Sequence, residues 1–186
     1  MKQVHRTIQP RRRYFLACEG ESEQSYGTLL RRFADIKGLR IHIEVMNLSP
    51  AGDSLVLAEK ALAGLKREAR RGVFEAWAIL LDQDKADELP LKAASAQRLL
   101  DREGFLSIWQ HPDHEGLLLR HIAGRERDNP PRGHSGAALR TQWPAYRKNM
   151  PANDLQKLIT LEDVLRAAVV IPGLDEFVAA LGLTAI

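Results

Sequence analysis

The segment Arg13-Tyr-Phe-Leu-Ala-Cys-Glu-Gly-Glu-Ser-Glu23 joins a buried strand to a cluster of acids. Its apolar run from Tyr14 to Cys18 has the length of a β-strand and stops at a Glu-Gly pair. Apolar residues then recur at helical spacing from Tyr26 to Phe33. We therefore expect a strand followed at once by a helix, with Ser22 or Ser25 as the helix cap.

The same alternation continues along the chain. Further strands are predicted over residues 39–46, 74–81 and 104–109, with helices opening near Asp53 or Ser54 and at Pro90. The order β-α-β-α-β-α-β predicts an α/β fold with a mostly parallel four-stranded sheet and helices on both faces. The third strand is apolar on both faces apart from Glu75, which predicts a central position.

The rest of the chain is predicted to be helical. A short helix is expected at residues 114–121, followed by a polar loop over 124–136. Three more short helices are expected at residues 138–148, 155–168 (with a break near Thr160 left open) and 174–181. We divide the chain into a basic N-terminal arm, residues 1–12, and one α/β domain, residues 13–186, whose helical part from about 137 packs on it. The apolar C-terminal helices suit either a cover for one sheet face or a homodimer surface.

Composition restricts the class of protein. With 186 residues, 45% hydrophobic and 27% charged, the chain suits one globular domain. Its apolar runs are too short to span a bilayer, and its N-terminus lacks the pattern of a signal peptide. The single cysteine, Cys18, excludes a disulfide framework, so we expect a cytoplasmic protein and treat Cys18 as a core residue.

Acidic residues follow two of the predicted strands directly. Glu19 and Glu21 follow the first strand, while Asp82 and Asp84 follow the third. Ligands in open α/β sheets bind beyond the carboxyl ends of the strands. If the Asp82-Gln-Asp84 segment is extended, alternation directs both aspartates to the same side. Converging carboxylates of this kind favour Mg²⁺ or Mn²⁺, and Gly20 would let the backbone approach a bound phosphate. Surface acids that merely cap strands are the alternative.

The histidines of residues 111–121 and the basic pair Arg147-Lys148 indicate a functional site less clearly than the acids do. His111, His114 and His121, with Asp113 and Glu115, could hold a transition metal, although the spacing is not that of a standard zinc site. We favour a hydrogen-bonded His121 near the acidic edge, with Glu115 close by and either residue contacting substrate. Further along, Lys148, with its neighbour Arg147, could place a cation near a phosphate, or could simply end a basic helix.

Three segments resemble motifs of the RloB-like proteins, a family related to the Toprim fold of topoisomerases, primases and OLD-type nucleases. Residues 15–26, FLACEGESEQSY, are similar to the family's strand followed by E-G-E-[ST]-E-x-x-Y, and residues 80–84, LLDQD, to its D-x-D motif. Residues 111–121, HPDHEGLLLRH, are similar to its N-P-x-F-E-x-W-x-L-x-H segment. Here His111 replaces Asn, His114 replaces the aromatic residue and Leu117 replaces Trp.

The resemblance implies a Toprim-like nuclease of phage-defence or restriction-associated loci. Glu19 then matches a general acid/base close to the metal, Asp82 and Asp84 match the metal-holding pair, and Glu21 is a further acidic contact. The leading hypothesis is a Mg²⁺-dependent (or Mn²⁺-dependent) nuclease acting on DNA or RNA, including tRNA. The rival is a non-catalytic subunit that binds nucleic acid or works beside an ATPase partner. A third possibility is another metal-dependent phosphotransfer reaction on the same fold.

Overall fold

The computed structural model describes residues 10–50 and 52–184 of the chain. Residues 1–9, which form most of the predicted basic arm, lie outside the described part. The first strand, β1, covers Arg12–Cys18. The remaining strands are β2 (Ile41–Asn47), β3 (Ala76–Asp82) and β4 (Leu106–Gln110), so all four predicted strands are confirmed with shifted bounds.

The described strands form a four-stranded sheet in the order β2-β1-β3-β4, and every pairing is parallel. The two apolar strands, β1 and β3, are the central pair, so the central position predicted for the third strand is confirmed. Parallel pairing aligns the carboxyl ends of the strands, so Cys18 of β1 and Asp82 of β3 reach the same edge of the sheet. This is the α/β class predicted, and it is consistent with a Toprim-like arrangement.

Helices occupy both faces of the sheet. The first helices are α1 (Glu21–Ile36), α2 (Ser54–Glu68), α3 (Gln83–Glu88), α4 (Pro90–Arg102) and α5 (His114–Leu119). A 3-10 turn, Ala69–Arg71, follows α2. The later helices are α6 (Ser135–Gln142), α7 (Ala152–Leu155), α8 (Leu161–Ala168) and α9 (Leu174–Leu181).

Alternation along β1 assigns the helices to faces. Tyr14, Leu16 and Cys18 pack in one apolar cluster with α1 and the C-terminal helices, whereas Phe15 and Ala17 pack in a second with α2 and α4. The C-terminal helices therefore cover one face of the sheet, which is the first of the two roles predicted for them. The described helices include none with the length and apolar content that crossing a membrane requires.

Three of the predicted helix boundaries are confirmed, and one predicted helix cap was wrong. Pro90 begins α4 and Asp53 caps α2, its side chain accepting the amides of Leu55 and Val56 at 3.0 Å. The break near Thr160 is real, because Thr160 and Asp163 form a capping box that starts α8. The prediction of a serine cap for α1 was wrong, since Gly20 occupies that position and no side chain caps the helix.

Candidate functional site

A cavity of about 320 Å³ lies at the carboxyl ends of β1 and β3. Seven of the nine predicted site residues line it: Glu19, Gly20, Glu21, Asp82, Asp84, Glu115 and Lys148. The remaining lining residues are Ser22, Glu23, Lys85, Asp113, His114 and Asn149. All three sequence motifs therefore meet at one place, although they are far apart along the chain.

Gly20 lets α1 begin directly at the end of β1. Its backbone is extended (φ −140°), so a left-handed conformation is not the reason for a glycine here. A Cβ atom at this position would lie 3.2 Å from the carboxylate of Glu23. The glycine thus makes space for a buried acid to come close to the chain, and we expect a side chain here to displace Glu23.

The two aspartates of the second motif lie on different elements. Asp82 is the last residue of β3, whereas Asp84 is in the first turn of the short helix α3. The expectation that strand alternation aligns them was therefore wrong. They line one cavity because α3 turns away directly at the edge of the sheet, and the amide of Asp84 donates to the carbonyl of Pro112 at 2.9 Å. That bond ties the second motif to the third.

The third motif begins with a capped helix. The side chain of Asp113 accepts the amide of Gly116 at 2.9 Å and so caps α5. Glu115 follows in the first turn, where its Oε1 accepts a hydrogen bond of 3.1 Å from the hydroxyl of Tyr146. Burial, together with the charge of Glu115, raises the pKa of Tyr146 well above its usual range.

Lys148 reaches the cavity because the next residue is anchored to α1. Asn149 adopts a left-handed conformation (φ 59°), which asparagine tolerates better than most residues. Its Nδ2 donates to Glu21 Oε2 at 2.9 Å, its Oδ1 accepts from the hydroxyl of Ser22 at 2.9 Å, and its backbone amide donates to that hydroxyl at 3.1 Å. These bonds fix the backbone that carries Lys148, whose side chain lines the cavity.

Protein cations already bind two of the carboxylates. Lys85 Nζ donates to Glu19 Oε1. Arg132 Nε lies 3.4 Å from Asp84 Oδ2, and the same guanidinium also pairs with Glu88. Burial lowers the pKa of Lys85, but its hydrogen bond to Glu19 and the charges of the surrounding carboxylates raise it further, so the net direction is upward. Lys85 therefore remains charged at neutral pH.

Asp82 is held by a buried chain of hydrogen bonds. Gln110, which is 0% exposed, donates from Nε2 to Asp82 Oδ1 at 3.0 Å. Its Oε1 lies 2.7 Å from His114 Nδ1. Because an amide oxygen only accepts, this orientation requires a proton on His114 Nδ1. His114 Nε2 is buried and has no hydrogen-bond partner among the described residues.

Asp82 is the acid whose protonation the site changes most. Burial, followed by the charges of Glu23 and Glu19, raises its pKa to about 8. Lys85 opposes this shift and does not cancel it. With only protein groups around it, Asp82 is therefore largely protonated at pH 7, and a cation that binds its carboxylate must displace the proton.

The donor set fits a hard divalent cation. Glu19 Oε2 and Asp84 Oδ1 are buried and have no partner in the described part of the chain, an arrangement that is costly unless something binds them. Within residues 10–50 and 52–184, however, no group of three or more His, Cys, Asp or Glu side chains is already arranged to hold a metal ion. The ion pairs with Lys85 and Arg132 hold one oxygen each of Glu19 and Asp84. An ion would have to draw the free oxygens together.

Two predicted site residues lie elsewhere. His121 is buried beside α1: its Nδ1 lies 2.9 Å from the carbonyl of Leu117, and its Nε2 lies 2.9 Å from the hydroxyl of Tyr26. Burial lowers the pKa of His121 to about 4, so the ring is neutral. The residues that line the cavity do not include it. Arg147 is exposed and pairs with Asp154 at 3.1 Å. Neither residue is among those that line the cavity.

Sequence reasoning missed three residues that define the site, Lys85, Gln110 and Arg132, and it placed Glu23 in the acidic cluster without giving it a role. Lys85 was detectable, because it directly follows Asp84 of the second motif. Gln110 could have been found from the sheet register, which pairs it with Asp82. Arg132 gave no such signal, since it belongs to a polar loop 48 residues beyond the aspartate it contacts.

Comparisons of this chain with protein-family models, with curated proteins and with solved structures found no match. The geometry of the cavity and the three motifs that meet there are therefore the features that bear on its function.

Proposed function

We propose that this chain is a cytoplasmic, RloB-like nuclease that uses Mg²⁺ or Mn²⁺ to hydrolyse phosphodiester bonds in DNA or RNA, in phage defence or a restriction-associated system. One observation supports this most directly: Glu19, Asp82 and Asp84 line one cavity, and buried oxygens of Glu19 and Asp84 have no protein partner. Oxygen donors of this kind suit a hard divalent cation.

The charge of the cavity supports a need for metal. Seven carboxylates line it, from Glu19, Glu21, Glu23, Asp82, Asp84, Asp113 and Glu115, against the two lysines Lys85 and Lys148. Even with Asp82 protonated, the cavity repels a phosphodiester. A divalent cation held by Glu19, Asp82 and Asp84 would neutralise the phosphate oxygens and acidify an attacking water.

The chain's own side chains supply orientation and charge. Lys85 fixes Glu19 through Oε1 and leaves Oε2 available. Gln110 fixes Asp82 through Oδ1. Lys148, anchored through its neighbour Asn149, brings a positive charge to the cavity wall, where it can bind a phosphate oxygen.

A second candidate is a binding subunit without catalysis, possible partners being nucleic acid and an ATPase. The ion pairs of Glu19 with Lys85 and of Asp84 with Arg132 favour it, because they give two of the acids partners without any metal.

Cleavage assays separate the two. Purified protein is incubated with plasmid, single-stranded DNA and total tRNA in Mg²⁺, Mn²⁺ or EDTA. If the chain is a nuclease, cleavage should be sensitive to EDTA, and Asp84→Asn should lower it by at least about a hundredfold. Removing a residue that only hydrogen-bonds a metal ligand lowers metal affinity or activity about 10–100-fold, and removing the ligand itself should lower it more. Asp35→Asn, an exposed aspartate of α1, is the matched control. Salt-sensitive binding without cleavage in any metal would instead support the binding subunit.

A further inference from the structure

A second cavity, of about 370 Å³, adjoins the acidic one and shares Asp84 with it. Its walls come from α3 on one side and from the loop segment of residues 129–132 on the other. The position matters because a nucleic acid with one phosphate at the acidic cavity must place its neighbouring nucleotide close by.

The chemistry of this second cavity differs from that of the first. Its apolar surface is supplied by the rings of Pro112, Pro130 and Pro131. The other five lining residues are polar: Asp84, Asp87, Glu88, Asn129 and Arg132. Asp87 accepts a hydrogen bond of 2.8 Å from Gln83 Nε2, and Asp87, Glu88 and Asn129 are exposed. Apolar ring faces with hydrogen-bonding groups beside them suit an unstacked base.

Arg132 stands between the two cavities. Its Nε lies 3.4 Å from Asp84 Oδ2, and its guanidinium also pairs with Glu88. Arginine presents five donors in a planar fork, so these two contacts leave donors over for a phosphate oxygen. A cation placed at this junction suits the backbone of a strand that passes from one cavity to the other.

We infer that the second cavity holds the base of the nucleotide next to the scissile phosphodiester, with Arg132 on the adjoining phosphate. This deepens the proposed function and rests on it. A base stacked in a duplex cannot enter such a cavity, so the substrate class is single-stranded or looped nucleic acid. Because the carboxylates of Asp87 and Glu88 only accept hydrogen bonds, the cavity selects bases that carry an amino group over uracil or thymine.

The direct test is equilibrium binding without cleavage. Fluorescence anisotropy in Ca²⁺ compares a labelled oligothymidine with the same strand carrying adenine or cytosine substitutions, and each with its blunt duplex; gels check that the strands stay intact. We expect the strands with amino-bearing bases to bind about fivefold tighter or better, the effect of one hydrogen bond, and single strands to bind better than duplex.

Variants link the preference to the cavity. Asp87→Ala combined with Glu88→Ala should bring the ratio between bases close to one, and Arg132→Ala should weaken all strands alike. Glu59→Ala, an exposed glutamate on α2, should leave both quantities unchanged. A ratio below twofold in the unmodified protein, a ratio that survives the double substitution, or equal binding of duplex and single strand would each overturn the inference.

Cleavage distinguishes failure of this inference from failure of the proposed function. Metal-dependent cleavage with no preference for base or strand state overturns the base site and leaves the nuclease. Base-selective binding that no Mg²⁺ or Mn²⁺ condition converts into cleavage refutes the nuclease and keeps the base site as part of a binding subunit.

Discussion

Replacing Gln110 by methionine tests how the site controls its central acid. Gln110 is fully buried and donates to Asp82 Oδ1 at 3.0 Å while its oxygen contacts His114. Methionine has a similar length and volume and adapts to its surroundings, so the change removes hydrogen bonds with little loss of packing. The effect on Asp82 can therefore be separated from an effect on the fold.

The size of the effect follows from the pKa of Asp82, which burial and then the charges of Glu23 and Glu19 raise to about 8. A hydrogen bond to a charged group contributes about 1.5–3 kcal/mol, and 1.36 kcal/mol corresponds to one pH unit. Losing the Gln110 bond should therefore raise the pKa of Asp82 by roughly one to two further pH units. A proton competes with a cation for the carboxylate, so cation affinity at pH 7 should fall roughly 10–100-fold.

The assay is Mn²⁺ binding, followed by electron paramagnetic resonance or calorimetry from pH 6.5 to 9.5, with melting curves as a check on folding. Affinity of the unmodified protein should rise with pH and level off above about 8. The deficit of Gln110→Met should shrink as pH rises, because Asp82 then ionises in both proteins. The partly buried Gln142→Met, on α6 and outside the cavity, is the control. A deficit that is absent at pH 7, or constant across the range, would show that Gln110 does not control the protonation of Asp82.

Three further outcomes follow from the same geometry. In EDTA the unmodified protein should lose about 1–2 kcal/mol of stability between pH 6.5 and 8, because the folded protein holds a proton on Asp82 that the unfolded chain does not, and this stabilisation is lost as the pH rises through the native pKa. Chemical denaturation of Asp82→Asn should show no such loss. His121→Phe should cost about 2–4 kcal/mol by the same measurement, since it leaves the Tyr26 hydroxyl and a backbone carbonyl unpaired; cleavage by the folded fraction should persist, and an unchanged stability would contradict the structural role. Lys148→Ala should weaken binding or turnover of nucleic acid about tenfold while leaving Mn²⁺ affinity intact, whereas Lys66→Ala, on the exposed face of α2, should change neither.

The pH window for the Asp82 test is set by a second buried group. The native pKa of His121, lowered to about 4 by burial, makes stability rise with pH between about 4 and 6.5. Asp82 makes stability fall between its ordinary value of 3.8 and about 8. Below pH 6.5 the two trends oppose each other, so the decline in stability due to Asp82 can be measured without a contribution from His121 only above pH 6.5.

The fold was predictable because its causes are local. Apolar runs of strand length, helical periodicity and a proline at a helix start each depend on residues close together in the chain. Helix α3 escaped prediction for the same reason: Gln83–Glu88 contains one apolar residue, Ala86, so no periodicity marks it. That omission made Asp82 and Asp84 look like neighbours on an extended segment, although only Asp82 is in a strand.

The acids of the site were predictable, but the pairings that they make were not. Strand ends identify Glu19 and Asp82, because parallel strands must align their carboxyl ends. Lys85 and Gln110 pair with these acids across 66 and 28 residues. The motif and the sheet register indicate that Lys85 and Gln110 lie at the site, but neither indicates which carboxylate each one binds. For His121 it was the predicted location that was wrong. It belongs to a motif that reaches the cavity through Glu115, but it follows the end of α5 and lies behind the helix, against Tyr26.

The groups that pair with the acids explain how so many carboxylates can line one cavity. Seven carboxylates around one cavity repel each other, and the chain reduces that repulsion through Lys85 on Glu19, Arg132 on Asp84 and a proton on Asp82. In the proposed function a divalent cation would release the proton of Asp82 and bind the free oxygens of Glu19 and Asp84, while Lys85 and Arg132 keep the oxygens that they already hold. The fold therefore does not depend on the metal, and the ion pairs that stabilise the metal-free site also orient its carboxylates.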